Sequence, residues 1–417
     1  MLALGVRVFI ALGLISIIVT LMVRGPTGFM MAGLTTYQKL TDVALITIPL
    51  FVLMGNLLVH SGIADRLFQA LSYWLSGVRG GLAVVSLGVC VALAMASGFT
   101  PGLVTMGLIA VPAMLKRNYD KSLALGSVMA GGILGDVIPP SLMMIILGSI
   151  TRISIGKLFM GGVIPGFIAS TIYTIYILSR SYFQPHLAPS TTENVTWRMR
   201  WVSLSAVIAP ALLVIAVLGS IFAGIATPSE AAGVGSFGAL LCVILYRKFN
   251  WKVISSSSVE TLKVTGMVMW ILVTATLFGQ VYTSAGAQGM VMGIVEGLEV
   301  NRWLILIVMQ AILLIFGMFM DDFAIIIIAG PIFMPIAISL GFDPIWFGIV
   351  FILNMQMAYM TPPFGWCLIL MKGIAPPEIT TGDIWRSVPP FVGMQLLVLI
   401  MVMVFPALAL WLPGQMM

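Results

Sequence analysis

Two short runs of this sequence combine proline with residues that can offer oxygen: Ile138, Pro139, Pro140, Ser141 and, much later, Thr361, Pro362, Pro363, Phe364. Each lies inside an apolar stretch that would otherwise read as helix. A proline lacks the backbone N–H and its ring collides with the preceding turn, so a double proline breaks a helix and leaves carbonyls unpaired. At membrane depth such groups persist only where protein, water or an ion satisfies them. Sodium fits that need. The candidate ligands are carbonyls around Gly135, Ile138 and Pro140 or around Ala358, Thr361 and Phe364, plus the hydroxyls of Ser97, Thr100 and Thr361. Half-helix N-termini at the same breaks present amides and positive dipole ends, which suit an anionic substrate. Ser97, Ser141, Asp321 and Asp322 are the side chains expected beside it. Either double proline alone reads as a kinked structural helix; two matched breaks beside matched tips read as a site.

Acids in apolar surroundings are the second signal, because each costs free energy in a membrane unless a partner or a wet cavity relieves it. They are Asp136 just before the first break, Asp321 and Asp322, and Glu230. Glu230 follows Thr227, Pro228 and Ser229, the pattern of a helix N-terminus with proline in its first turn and an acid on the dipole, so capping is its expected role. Cys90, Cys242 and Cys367 lie singly, without metal spacing, and read as small buried thiols. The two histidines, His60 and His186, lie far apart in sequence, and no nucleophile–base or HExxH-type pattern exists, so an enzyme is not expected.

The elements that must position these residues are membrane helices. The chain has 417 residues, of which 60% are hydrophobic and 8% charged, about a third of the charged share of a soluble domain. The +6 net charge comes from basic residues clustered in short loops, which indicates membrane orientation rather than nucleic acid. Apolar runs near the length of a bilayer crossing recur at about residues 3–22, 43–60, 158–179, 201–224, 230–246, 262–283 and 388–412. The first is read as a retained span, since no signal-cleavage site follows and Arg24, Gly25, Pro26 look like a helix end.

An internal repeat appears at an offset of 223, which aligns Ser61 with Ser284, Pro112 with Pro335, Asp120 with Asp343, and Pro139, Pro140 with Pro362, Pro363. One added residue brings Pro165 onto Pro389. Lys116, Arg117 and Lys121 fall on the uncharged Ser339, Leu340 and Pro344, so the two loops are expected on opposite sides, the basic one in the cytoplasm. Arg152 and Lys157 depart from that scheme. In each half, two short apolar stretches flank a polar tip, Gly81 to Met95 and Leu103 to Leu115 around Ser97–Pro101, and their counterparts around Asp321 and Asp322, which reads as a re-entrant hairpin. The fold class is thus all-α and polytopic, with inverted repeats, hairpins and discontinuous helices. Residues 1–60 are scaffold spans, 61–179 the first inverted repeat, 180–200 a polar cytoplasmic linker, 201–283 scaffold spans and 284–412 the second repeat. Residues 63–75 carry Leu67, Leu71 and Trp74 at helical spacing and read as an interfacial brace.

At these residues the chain resembles the large membrane subunit of tripartite ATP-independent periplasmic (TRAP) transporters, within the ion transporter superfamily. The likeness runs nearly end to end. Its most specific pieces are Ile48, Pro49, Leu50, Phe51; the two double-proline runs, the second extended by Gly365; Ala226, Thr227, Pro228, Ser229, Glu230, Ala231, Ala232; and Gly317, Met318, Phe319, Met320, Asp321. The resemblance implies a sodium-driven, elevator-type importer in a bacterial inner membrane. It would receive an organic acid from a periplasmic binding protein and work with a small four-helix membrane subunit. It further implies one sodium site at Ser97, Thr100, Gly135, Ile138 and Pro140 and another at Gly317, Ala358, Thr361 and Phe364, with sodium ions and no cofactor. Three positions depart from the pattern: Phe99 where a tip serine is usual, Asp136 where the segment is normally uncharged, and Ala358 where glycine is usual. Asp136 leaves proton sensitivity open. The alternative is a stand-alone ion-coupled carboxylate transporter or antiporter of the same superfamily. A channel also needs polar groups at the midplane, but paired inverted breaks favour alternating access.

Overall fold

The computed structural model describes residues 8–190, 195–297, 300–363 and 365–416, and among these every regular element is a helix. The order is α1 (Val8–Leu40), α2 (Thr47–His60), α3 (Ile63–Trp74), α4 (Gly81–Ser97), α5 (Phe99–Leu115), α6 (Lys121–Leu134), α7 (Leu142–Thr151), α8 (Ile155–Phe183), α9 (Trp197–Phe222) and α10 (Pro228–Leu245). There follow α11 (Trp251–Ser284), α12 (Ala287–Gly297), α13 (Arg302–Phe319), α14 (Asp322–Ser339), α15 (Pro344–Met360), α16 (Trp366–Ile374), α17 (Thr381–Ser387), α18 (Pro389–Val404) and α19 (Ala407–Leu410). Nine helical stretches among the described residues are long and apolar enough to cross a membrane.

Gly25 takes φ 62° and ψ −158°, which ends the first helical stretch of α1 where Arg24, Gly25 and Pro26 predict an end, and a second stretch runs on to Leu40. Two boundaries differ from the sequence reading. The span expected from residue 262 begins at Trp251, because Asn250 caps the helix through Lys252 N and carries it across a serine-rich turn. The last span stops at Val404, where Pro406 has no amide to continue the ladder.

The short broken helices are the most enclosed. Every residue of α15 from Trp346 to Met360 is buried, as is every residue of α6 from Leu123 to Leu134. By contrast α9 exposes Trp201, Val202, Ile208, Leu212 and Ile215. That is what the bilayer as solvent requires: apolar side chains face outward on the periphery, and helices with broken backbones are wrapped in protein. α1, α2, α9, α10 and α11 pack on one another as the periphery, and α3 lies across α9. There Trp74 Nε1 donates to the Arg200 carbonyl at 3.1 Å and its ring meets Trp201 edge-on.

The repeat is explicit in local chemistry. Asp120 caps α6 by accepting from Leu123 N, and Asp343 caps α15 by accepting from Ile345 N and Trp346 N. Ser61 donates to the Leu58 carbonyl and Ser284 to the equivalent Val281 carbonyl. Asn118 and Gly341, equivalent again, both take left-handed backbone at φ 57° and 79°. The halves meet between α6 and α15, where Gln356 Nε2 donates to the carbonyl of its own counterpart, Ile133, 223 residues earlier, at 2.6 Å. Gln395 Nε2 donates to Gln356 Oε1 and Tyr173 Oη to Gln395 Oε1, both at 2.7 Å, closing a buried chain of satisfied polar groups.

Candidate functional site

In the first half, α4 and α5 form a hairpin whose tip is the single residue Gly98, at φ 86° and ψ 165°. The tip is tighter than expected: Thr100 and Pro101 fall in the first turn of α5, where proline needs no donor. α6 lies in the hairpin's groove because glycines leave room. A Cβ on Gly131 would sit 2.7 Å from the Leu87 carbonyl, and one on Gly135 would overlap the Cβ of Ala94. That seats the end of α6 against the last turns of α4. The chain then breaks through Asp136–Pro140 and restarts as α7. Its N-cap Ser141 accepts from Met144 N at 3.2 Å and donates to the Asp136 carbonyl at 2.5 Å, pinning the break from both sides. No backbone amide among the described residues donates to the carbonyls of Gly135, Ile138 or Pro140.

The second half repeats this arrangement with one exchange. A Cβ on Gly317 of α13 would overlap the Cβ of Ala358 at the end of α15. Gly317 corresponds to Ala94 and Ala358 to Gly135, so hairpin and break meet through one Cβ in both halves, carried by opposite partners. This accounts for alanine where glycine is usual at 358. Thr361 N bonds the Ala358 carbonyl at 3.0 Å, and Thr361 Oγ1 donates to the Met357 carbonyl at 2.7 Å, leaving the oxygen's lone pairs open. Gly365 faces two more oxygens: a Cβ there would lie 2.7 Å from the Tyr359 carbonyl and 3.0 Å from that of Thr361. Both Pro–Pro peptide bonds are cis.

The halves brace each other. α7 packs on α14, where Gly330 faces Leu147, Ile150 and Thr151, and α16 packs on α5, where the equivalent Gly107 faces Ile374. Each hairpin therefore supports the other half's broken helix.

The polar side chains do not repeat. Asp136 is buried, its Oδ2 has no hydrogen-bond partner among the described residues, and it lies within electrostatic range of Asp322. Asp322 is buried in the first turn of α14, whereas Asp321 is exposed and caps that helix through Ala324 N at 2.9 Å. No salt bridge to any of the three is present among the described residues. Gly135, Ile138, Pro140 and Ser141 thus meet at one break, and Gly317, Ala358 and Thr361 at the other. Phe364 and the side chains of Ser97 and Phe99 lie outside the described residues. Glu230 forms the expected capping box with Thr227, and the three cysteines are buried free thiols. Sequence reasoning missed Gln356, Gln395 and Tyr173, although polar amides in apolar helices were signal enough to find two of them.

The sequence profile described as Tripartite ATP-independent periplasmic transporter, DctM component, matches residues 1–408. The C4-dicarboxylate TRAP transporter large permease protein DctM of Pseudomonas aeruginosa is 33% identical over 95% of this chain and 92% of its own length. The isethionate TRAP transporter permease protein DctMQ of Oleidesulfovibrio alaskensis is 30% identical over 99% of this chain, which spans 65% of that longer protein. Among solved structures, the Alcanivorax borkumensis YdaH transporter superposes with a TM-score of 0.66 over 97% of each chain at 14% identity, a likeness of fold.

Proposed function

We propose, for a chain that belongs to the family of DctM components of tripartite ATP-independent periplasmic transporters, that it is the multi-pass permease of a sodium-driven importer of an organic acid. The family implies a small membrane subunit and a periplasmic binding protein as partners. The small subunit is read as a four-helix protein, the membrane as the bacterial inner membrane, and the motion as an elevator in which the two hairpins and two broken helices travel together. The observation that carries sodium coupling is the pair of matched breaks, each set against a hairpin, with the Gly135, Ile138 and Pro140 carbonyls free of backbone partners at the first. One site would use Gly135, Ile138 and Pro140 with Ser97 and Thr100, and the other Gly317, Ala358, Thr361 and Phe364. Asp136 and Asp322 place buried carboxyl oxygens there without a cationic side chain, and a bound cation would satisfy them. The anionic substrate would meet Ser97, Ser141, Asp321 and Asp322 together with the helix N-termini; because acids repel an anion, cations must accompany it.

In proteoliposomes containing the permease, its small subunit and the loaded binding protein, uptake should require an inward sodium gradient. Undiminished uptake with potassium on both sides and only a pH gradient would refute sodium coupling. Uptake without any binding protein would favour a stand-alone carboxylate transporter.

A further inference from the structure

A cavity of about 770 Å³ opens between the turned α1, the end of α7, the end of α11 and α14. Three cations line it from separate places: Arg24 at the turn of α1, Lys39 near its end, and Arg152 just after α7. Its one acid, Asp42, already accepts from Ala44 N at 3.0 Å. Lys39 Nζ donates to the Ser149 carbonyl at 2.5 Å, and neither Arg24 nor Arg152 has an ion pair among the described residues. The α11 wall carries Gln280, whose amide can donate hydrogen bonds, while the hydroxyls of Thr276 and Thr283 donate to the Leu272 and Gly279 carbonyls of their own helix.

Arg152 takes left-handed backbone, φ 60°, at the C-cap of α7, a place where glycine is the default. A cation there suits the α7 dipole, but that does not account for Arg24 and Lys39 converging on the same space. Arg152 also departs from the charge pattern that places the 116–121 loop in the cytoplasm, so it sits where membrane orientation alone would not put it.

We propose that this cavity is an outer anion vestibule. It takes one small organic acid anion, held by Arg24, Arg152 and Lys39 with the Gln280 amide of α11, before the anion reaches the breaks. Guanidinium groups match a carboxylate or sulfonate in geometry as well as charge. The inference rests on the reading of the chain as an importer of an organic acid. A dicarboxylate and isethionate, the substrates in the names of two relatives, are both anions rich in acceptor oxygens. The same chemistry would suit a lipid phosphate, and the test separates the two.

Gln280→Cys, in a permease lacking the native cysteines and reconstituted with its small subunit in phosphatidylcholine nanodiscs, is modified with anionic and cationic methanethiosulfonate reagents. The anionic reagent should react faster, and Arg24→Gln and Arg152→Gln should each lower the anionic-to-cationic rate ratio about fivefold, as expected for a focused local potential. Arg24→Lys and Arg152→Lys should keep the ratio, and a neutral maleimide should label all variants alike, which separates charge from misfolding. Succinate, used as the probe, should slow modification, and dimethyl succinate should not. A ratio unmoved by both glutamine variants, or no protection by succinate, would overturn the vestibule. Protection by phosphatidylglycerol in place of succinate would assign the cavity to a lipid headgroup and overturn the substrate assignment. Because labelling needs no transport, sodium-driven uptake on the same preparations passes or fails separately.

Discussion

The two breaks share a backbone and differ in chemistry. Hairpin and broken helix meet through one Cβ in each half, supplied by Ala94 in the first and Ala358 in the second, against Gly135 and Gly317. The caps repeat as Asp120 and Asp343, and the halves meet through Ile133 and Gln356. Yet Asp136 stands opposite Tyr359, Ile138 opposite Thr361, and Gly98 and Phe99 opposite Asp321 and Asp322. Carbonyl ligands need only the backbone path, so a duplicated fold duplicates them; side chains are then free to diverge and make the two sites unequal.

The largest effect should come from the shared part. Gly135→Ala would drive a methyl into both the Cβ and the backbone of Ala94, whereas Gly317→Ala would overlap only the Ala358 methyl. Overpacking costs about 1–3 kcal/mol, and here it also displaces carbonyls, so Gly135→Ala should bring sodium-driven uptake to background. Gly317→Ala should reduce it less, and Ala358→Gly added to Gly317→Ala should restore it. If the double variant stays as impaired as Gly317→Ala, the one-methyl contact is not what seats the second break.

Next comes the unshared part. Thr361→Ala removes a hydroxyl at the second break, and losing a ligand worth about 1–2 kcal/mol weakens apparent sodium affinity roughly 5- to 30-fold. Thr361→Ser should recover most of it. Unchanged sodium dependence of uptake in Thr361→Ala would remove this residue from the site, and lowered yield with normal sodium dependence would mark it as a helix end only.

These positions differ in how much of them the sequence disclosed. The double prolines and the capping role of Glu230 were legible because each follows from a local rule: proline breaks a ladder, an acid caps an N-terminus. The exchange of glycine and alanine between Ala94–Gly135 and Gly317–Ala358 was not, since a glycine's reason lies in the neighbour it meets, and that neighbour comes from another helix. The tip expected over Ser97–Pro101 shrinks to Gly98 because Thr100 and Pro101 look like loop residues yet serve equally well in a first helical turn. The start of α11 at Trp251 escaped for a related reason: hydropathy marks where lipid is met, and a helix can run on beyond it.

The smallest effect concerns the caps. Asp343 accepts from two amides and Asp120 from one, so Asp343→Ala should destabilise the purified protein more, with each loss on the order of 1 kcal/mol. The midpoint of thermal loss of monodisperse protein checks this, and a larger drop for Asp120→Ala would contradict it.

Accessibility of equivalent positions bears most directly on two copies of one motif set in opposite orientations. Single cysteines at Lys116 and at its counterpart Ser339, both exposed, serve better than one at Gly341, where φ 79° would strain any side chain. In a background lacking native cysteines, Lys116→Cys should react with an impermeant maleimide only from the cytoplasmic side and Ser339→Cys only from the outside. Labelling of both from the same side would contradict the inverted pairing and the alternating access built on it.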